Sequence, residues 1–424
     1  MTRDWLSEAR VLDAADPMKG FRGRFHLLKE GIYMDGNSLG LASVDALESL
    51  ERATEEWRRR GIGGWLDADP DWFSYGERIG AEMAPIVGAH PDEVVMVGST
   101  TSNLHSLVAT FYEPKGERRK ILADELTFPT DLYALESQVS IRGGDPSRDL
   151  LLARSSDGRT LDEGEIIDMM DETVALVMLP GVLYRSGQLL DMRRLTKAAH
   201  ERGIPIGFDI AHSVGSVPHR LHDDDVDFAF WCTYKHLNGG PGSPAALFVN
   251  RRHFGRAPGL AGWYGYVKER QFDMSIKFEH AHSAGAWQMG TPSVLSAAAL
   301  DGALKLFNEA GIDAVRKKSL ALTGFLIEMV DERLAHLGYE VGSPRDPERR
   351  GGHVAVEHDE GWRICCALKK RGIIPDFRPP RVVRLAPVAL YNTFEEVERT
   401  VTALAEIVEG REYEAFSTKR DAVS

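Results

Sequence analysis

IPIGFDIAHSVGSVPHRLHDDDVDFAFWCTYKHLNGGPGSPAALFVN runs from Ile204 to Asn250. Three of its segments, Ile204–Ile210, Asp227–Cys232 and Pro244–Asn250, are short and apolar, and turn residues bound them. Such runs predict strands buried on both faces, the mark of a mostly parallel sheet sandwiched between helices. Working outward, the same alternation continues upstream. Strands are predicted at Val94–Gly98, Lys120–Asp124 and Thr173–Leu179, with helices at Ser102–Phe111, Pro129–Val139 and Arg193–Arg202. The segment GIYMDGNSLG reads as a short strand breaking into a turn, and helical patterns dominate from Ser43 to Val87. Beyond Ile312 the pattern changes to a long helix (Ala314–Leu337), the strand GHVAVEH, a helix over Trp362–Lys370, the strand VVRLAP and a last helix. The expected organisation is an amphipathic helical lead-in (1–30), a large α/β domain (31–310) and a smaller α+β domain (311–424).

Composition narrows the function. The 424 residues are 43% hydrophobic and 27% charged, as in ordinary globular proteins. A formal charge of -13 argues against nucleic acid as a partner, because phosphate binding needs a basic face. Cys232, Cys365 and Cys366 form neither a disulfide framework nor a zinc spacing. The charged start MTRDWLSEAR lacks the apolar core of a signal peptide, and the apolar run Val174–Leu183 contains Pro180 and is too short for a bilayer. The expectation is a cytoplasmic protein without membrane or metal partners.

In open α/β sheets, ligands bind beyond the carboxyl ends of the strands. Three pieces converge there. GSTTSNLHSL (Gly98–Leu107) leaves a strand and opens a helix, and its hydroxyls and N–H groups suit a dianion. The same turn also fits an ordinary helix cap. Asp209 closes a buried strand, where a carboxylate needs a cation or donors; local backbone donors would equally serve. Lys235 follows an apolar strand and precedes Gly239, Gly240 and Gly242, which let backbone approach a bound group. A solvated loop lysine is the plain alternative. Together the pieces match the needs of pyridoxal 5'-phosphate (PLP). Lysine joins its aldehyde, aspartate keeps its ring nitrogen protonated, and the Thr100–Thr101 turn takes its phosphate.

The motifs YMDGNSLGL, SNLHSL, FPTDLYALESQ, FDIAHSVG, TYKHLNGGPG, GWYGY and RLAPVALYNT follow one another from Tyr33 to Thr393. In this the chain resembles the kynureninase family of fold-type-I PLP enzymes over nearly its whole length. The resemblance implies a mostly parallel seven-stranded sheet, a homodimer with its site at the subunit boundary, and hydrolysis of L-kynurenine to anthranilate and L-alanine. It implies that Lys235 carries the cofactor, that Asp209 pairs with the ring nitrogen, and that His212 lies beside it. Phe128 would stack on the ring, with Thr130 and Asp131 at its polar edge. Thr100, Thr101, Tyr234 and Trp263 would surround the phosphate, and Thr291 would reach across the dimer. Arg384 would hold the substrate carboxylate, with Asn37 of GNSLG nearby. Lys235 would remove the Cα proton; Tyr234 would either relay a proton or bind phosphate only. Pro180, Gly290 with Thr291, and GIGGW (Gly61–Trp65) differ from animal members of the family. Gly290 and Trp65 in place of polar groups favour kynurenine over its 3-hydroxy form.

Rival readings leave traces to check. A cysteine desulfurase needs a reactive cysteine in a mobile loop, whereas Cys365 and Cys366 have the spacing of a buried helix face. A hydrolase of a substituted kynurenine, or a PLP-binding protein without activity, would keep the same cofactor residues. His219, His222 and Asp223–Asp225 suggest a metal site less than a solvated acidic turn. Trp57 and Trp72 read as packing residues.

Overall fold

A computed structural model describes residues 3–420. Helix α1 (Trp5–Ala15) and the two-residue strand β1 (Ile32–Tyr33) precede helices α2 (Val44–Arg60) and α3 (Tyr75–Val87). The alternating region then gives β2 (Val94–Met96), α4 (Thr100–Phe111), β3 (Lys120–Asp124), α5 (Pro129–Ile141), β4 (Leu150–Ala153) and β5 (Val174–Pro180). It continues with α6 (Met192–Glu201), β6 (Ile206–Asp209), β7 (Phe228–Trp231), β8 (Ala246–Val249) and α7 (Val294–Ala310). The strands form a seven-stranded sheet in the order β2-β8-β7-β6-β5-β3-β4. Only β8 runs antiparallel to its neighbours. Every residue of β5, β6, β7 and β8 is buried, which is why their sequences are continuously apolar instead of alternating.

The edge strand β4 was not apparent from the sequence. Its LLLA run has no β-branched residue and pairs on one side only, with β3. Trp72 is buried as expected, edge-on to Trp65 at 5.9 Å, but Trp57 projects from α2 into solvent at 58% exposure.

The remaining chain builds a second core. Helix α8 (Ile312–Arg333), strands β9 (Glu340–Val341) and β10 (Val354–Glu357), and helix α9 (Gly361–Lys370) come first. Strands β11 (Ile373–Ile374), β12 (Asp376–Arg378), β13 (Val382–Leu385) and helix α10 (Phe394–Glu409) complete it. Its antiparallel sheet has the order β12-β13-β10-β9. Gly311, at φ 74°, separates α7 from α8, whose first turn still packs with α7 through Val315 before the helix enters the second cluster at Leu322.

The chain start joins this second core. Trp5 of α1 packs edge-on to Phe325 of α8 (5.3 Å), which meets Phe394 of α10 (5.6 Å). Asp13 accepts from the N–H groups of Phe394 and Glu395 at 2.8 and 2.9 Å, capping α10 from the far end of the sequence. Strand β1 pairs with β11.

Candidate active site

The carboxyl ends of β3, β6 and β7 open on a cavity of about 380 Å³. Asn37, Thr100, Thr101, Phe128, Thr130, Asp131, Asp209, His212, Tyr234 and Lys235 all line it. Residues separated by nearly two hundred positions thus share one space.

Local structure explains each placement. Ser99 caps α4, and reciprocal bonds with Ser102 (Ser99 N to Ser102 Oγ 2.7 Å) hold the turn. Gly98 takes φ 58°, and a Cβ there would stand 2.6 Å from Asn103 Oδ1. The first-turn N–H groups at Thr100 and Thr101 have no intrahelical acceptor, and they open on the cavity together with the Thr101 hydroxyl, 3.0 Å from that of Thr130. This is an anion-binding end.

On the opposite wall, the loop after β7 carries Tyr234 and Lys235. The GNSLG turn presses on it: Gly40 N donates to Tyr234 O at 2.8 Å. A Cβ on Gly40 would lie 2.2 Å from Asn238 Oδ1 and 2.5 Å from Lys235 O, so only glycine permits this approach.

Charges converge at the base. Lys235 Nζ lies 2.7 Å from His212 Nε2. Asp209 ends β6, and its Oδ1 accepts from Ala211 N at 2.8 Å. It faces Asp131, which also accepts from Thr127 (3.2 Å). Burial first, and for Asp131 the facing Asp209 next, push both carboxyls above the usual range, while Lys235 opposes the rise at Asp209. Asp124, at the end of β3, is pushed up to about 7 by burial. Burial likewise raises the Tyr234 phenol, so it stays an O–H donor at neutral pH. Phe128 stands at the mouth, edge-on to Tyr184 at 5.3 Å.

Five predicted residues lie elsewhere. Arg384 is fully buried and does not line the cavity; Arg378 does. Arg384 donates to Tyr184 O (2.7 Å) and Ser38 Oγ (2.9 Å), pairs with Asp376 (2.5 Å), and meets Asn37 through Nε (3.1 Å). Five N–H groups are thereby nearly all engaged. Trp65, Trp263 and Thr291 line a second depression of about 440 Å³ with Ile62, Phe73 and Phe272, and Gly290 adjoins Thr291. Within one chain Trp263 stands apart from the cavity at the α4 turn: it is half exposed, whereas Ala284–Trp287 of the same segment are buried in the core. Sequence reasoning missed Arg378 and Ser38. Ser38 had a signal in GNSLG; Arg378 had none beyond its charge.

Other clusters are self-contained. His219 is buried against Ser213 Oγ (2.9 Å), away from the acidic turn. His222 bonds Glu93 (2.8 Å) and stacks edge-on with His90. Glu93 also accepts from the N–H groups of His90 and Arg251. Cys365 is buried in α9, and Cys366 shares that helix.

The residues present fit PLP. The cavity joins an anion-binding helix end to a lysine, and a buried carboxyl pair lies between them with Asp131 Oδ1 lacking any partner. A cationic ring nitrogen would relieve that pair.

Solved structures of similar fold include an apo cysteine desulfurase from Thermococcus onnurineus NA1 (TM-score 0.78, 19% identity, 92% of this chain and 98% of that one). Another is a variant of the cystine C–S lyase C-DES with glycine covalently linked to its PLP cofactor (TM-score 0.79, 16% identity, 91% and 99%). The fold is that of the fold-type-I PLP enzymes. A family model described as the kynureninase C-terminal domain matches residues 315–404. Curated relatives named kynureninase are far closer in sequence. That of Geobacillus thermodenitrificans is 53% identical over 99% of this chain and 98% of its own, and that of Bacillus anthracis is 52% identical over 97% and 96%. With half its residues shared over nearly the full length of both chains, this chain belongs to the kynureninase family.

Proposed function

We infer that the protein is a PLP-dependent hydrolase that cleaves L-kynurenine between Cβ and Cγ, giving anthranilate and L-alanine. Full-length identity above one half to enzymes of that name carries the reading, and the cavity supports it by bringing together the residues expected to hold the cofactor from Thr100 to Lys235. When bound, PLP supplies an aldehyde for amines and a protonated ring that withdraws electrons.

The chain's own groups do the rest. Asp209 would hold a proton on the ring nitrogen, and Asp131 and Thr130 would hold the ring's polar edge. The α4 turn receives the phosphate. Lys235 Nζ takes the proton from the substrate Cα, and His212 is its neighbour. Water adds to the side-chain ketone before the carbon–carbon bond breaks. The Tyr234 O–H serves either as the proton donor or as a phosphate ligand.

The same reading includes a cytoplasmic homodimer. Trp263, Phe272, Met274 and Ile276 are exposed at 47%, 69%, 70% and 106%, an apolar surface of the kind that self-association covers. A second copy would bring its Trp263 and Thr291 to the phosphate, and its Trp65 and Gly290 to the aromatic ring. No side chain or backbone atom lies within 4 Å of the Cβ position at Gly290, and the Trp65 wall is apolar. Such a wall favours kynurenine over 3-hydroxykynurenine. Arg384 binds the substrate carboxylate once Asp376 yields one of its N–H groups.

A paired assay tests this. L-kynurenine and 3-hydroxy-L-kynurenine are supplied separately, alanine and the aromatic acid are quantified, and Lys235→Ala is the control. Turnover of kynurenine, lost in the control, is expected. Preference for the hydroxylated substrate would overturn the specificity reading alone. A yellow protein that cleaves neither would leave cofactor and fold in place without the reaction.

A further inference from the structure

Behind Lys235 lies a group of buried histidines that the reaction as described does not use. His212, His236 and His353 are exposed by only 6%, 3% and 0%. His212 Nδ1 and His236 Nε2 have no hydrogen-bond partner, and His353 has at most one, the backbone of Arg185, which leaves its other ring nitrogen open. Buried polar atoms in folded proteins are almost always paired, and where protein groups do not pair them, ordered water does.

The spacing suits water. The His212 and His353 rings are 6.2 Å apart between centroids, at 68°. Ring nitrogens lie about 1 Å from a centroid, so nitrogens turned toward each other stand roughly 4–5 Å apart, the span of a single bridging water. The cluster is also glycine-walled. A Cβ on Gly187 would be 3.3 Å from His353 Nε2, and one on Gly352 would be 3.4 Å from His236 Cε1. A Cβ on Gly352 would first meet Ser216 Cβ at 2.7 Å, and one on Gly187 the His353 carbonyl at 2.9 Å, so glycine is needed at both places for the chain to pack this closely around the histidines.

We propose that His353 and His236 hold a buried water that accepts the Nδ1–H of His212, so that His212 presents its Nε2 lone pair to Lys235. Which imidazole nitrogen bears the proton is set by the bond the other nitrogen makes. Nε2 already lies 2.7 Å from Lys235 Nζ, a group that only donates while it is charged. His353 is thus a positioning residue acting through His212. It stands immediately before β10, so it ties the second core to the catalytic lysine. The groups facing His212 are Lys235, Arg384, His236 and His353, with Tyr184 against its ring and Asp209 earlier on its own loop. Burial and the cations among them keep His212 neutral.

This assignment rests on Lys235 as the cofactor lysine, but its test does not require turnover of kynurenine. Neutron diffraction from crystals of the full-length protein freed of PLP, in which Lys235 keeps the unmodified amine that meets His212, reads the His212 protons directly. A deuteron on Nδ1, and a water within reach of it and of His353, are expected; a deuteron on Nε2 alone would overturn the proposal. Visible absorbance of the loaded enzyme, titrated with pH, gives a second readout. His353→Leu is expected to shift the midpoint by about one unit or more, whereas His353→Gln, which still binds water, stays near the native value. An unshifted midpoint in a folded His353→Leu protein would also overturn it. Loss of folding in that variant leaves the decision to the neutron map.

Discussion

Gly40 and Tyr234 are joined by a backbone hydrogen bond of 2.8 Å, which sets the turn after β1 directly against the loop that carries Lys235. The GNSLG and TYKHLNGG motifs are therefore one structural unit. GNSLG supplies the flat surface on which the lysine loop rests.

Gly40→Ala tests that contact. Its methyl group would stand 2.5 Å from Lys235 O, so the loop must move. Overpacking of this kind costs about 1–3 kcal/mol, and a displacement of about 1 Å near the chemistry costs roughly 100-fold in rate. Steady-state kinetics should show kcat falling by about that factor while circular dichroism stays native. An unchanged kcat would mean that the loop tolerates the shift.

Asp124 makes stability depend on pH. Its folded-state value is pushed up to about 7 by burial, above that of an unfolded aspartate at ~3.9. Between these values the folded chain holds the extra proton, so this residue's contribution to stability falls as pH rises from about 4 to about 7 and is flat above. Asp124→Asn removes the loss. Calorimetry of the cofactor-free protein should find the variant's melting temperature gaining on the native one across that window. The gain at pH 8 corresponds to at most about 4 kcal/mol. A constant difference across pH would refute this role.

Arg384 is held by four partners, and a lysine cannot reach them all. Arg384→Lys should lose at least one hydrogen bond to a charged group, about 1.5–3 kcal/mol. A rise in KM larger than any fall in kcat is expected. Equal KM values in variant and native enzyme would separate Arg384 from the substrate.

Much of this architecture was legible in the sequence because the central strands are buried on both faces. Their apolar runs mark β5 to β8 without any alignment. The acid, the lysine and the hydroxyl turn were legible for a related reason: each stands where a buried strand or a helix begins or ends. Strands β4, β9, β11 and β12 were not, since two to four residues on an edge carry no periodicity. Nor could a sequence show that Arg384 is engaged inside the protein while Arg378 faces the cavity, because neighbours set that difference. The same holds for His353, whose partners lie in the other core.

Asp13→Ala leaves the N–H groups of Phe394 and Glu395 without their acceptor. Loss of a cap costs about 0.5–2 kcal/mol, and thermal unfolding should report it as a lowered melting temperature with kcat unchanged.

That cap also imposes an order of events on the newborn chain. Trp5 and Asp13 leave the ribosome first, yet their partners Phe325, Phe394 and Glu395 are among the last to be made. At about 5–20 residues per second, the first helix waits some 20–80 s for the surface it will cover. Until then Trp5 lacks Phe325, and α10 is capped only once Asp13 finds it across more than three hundred residues of chain.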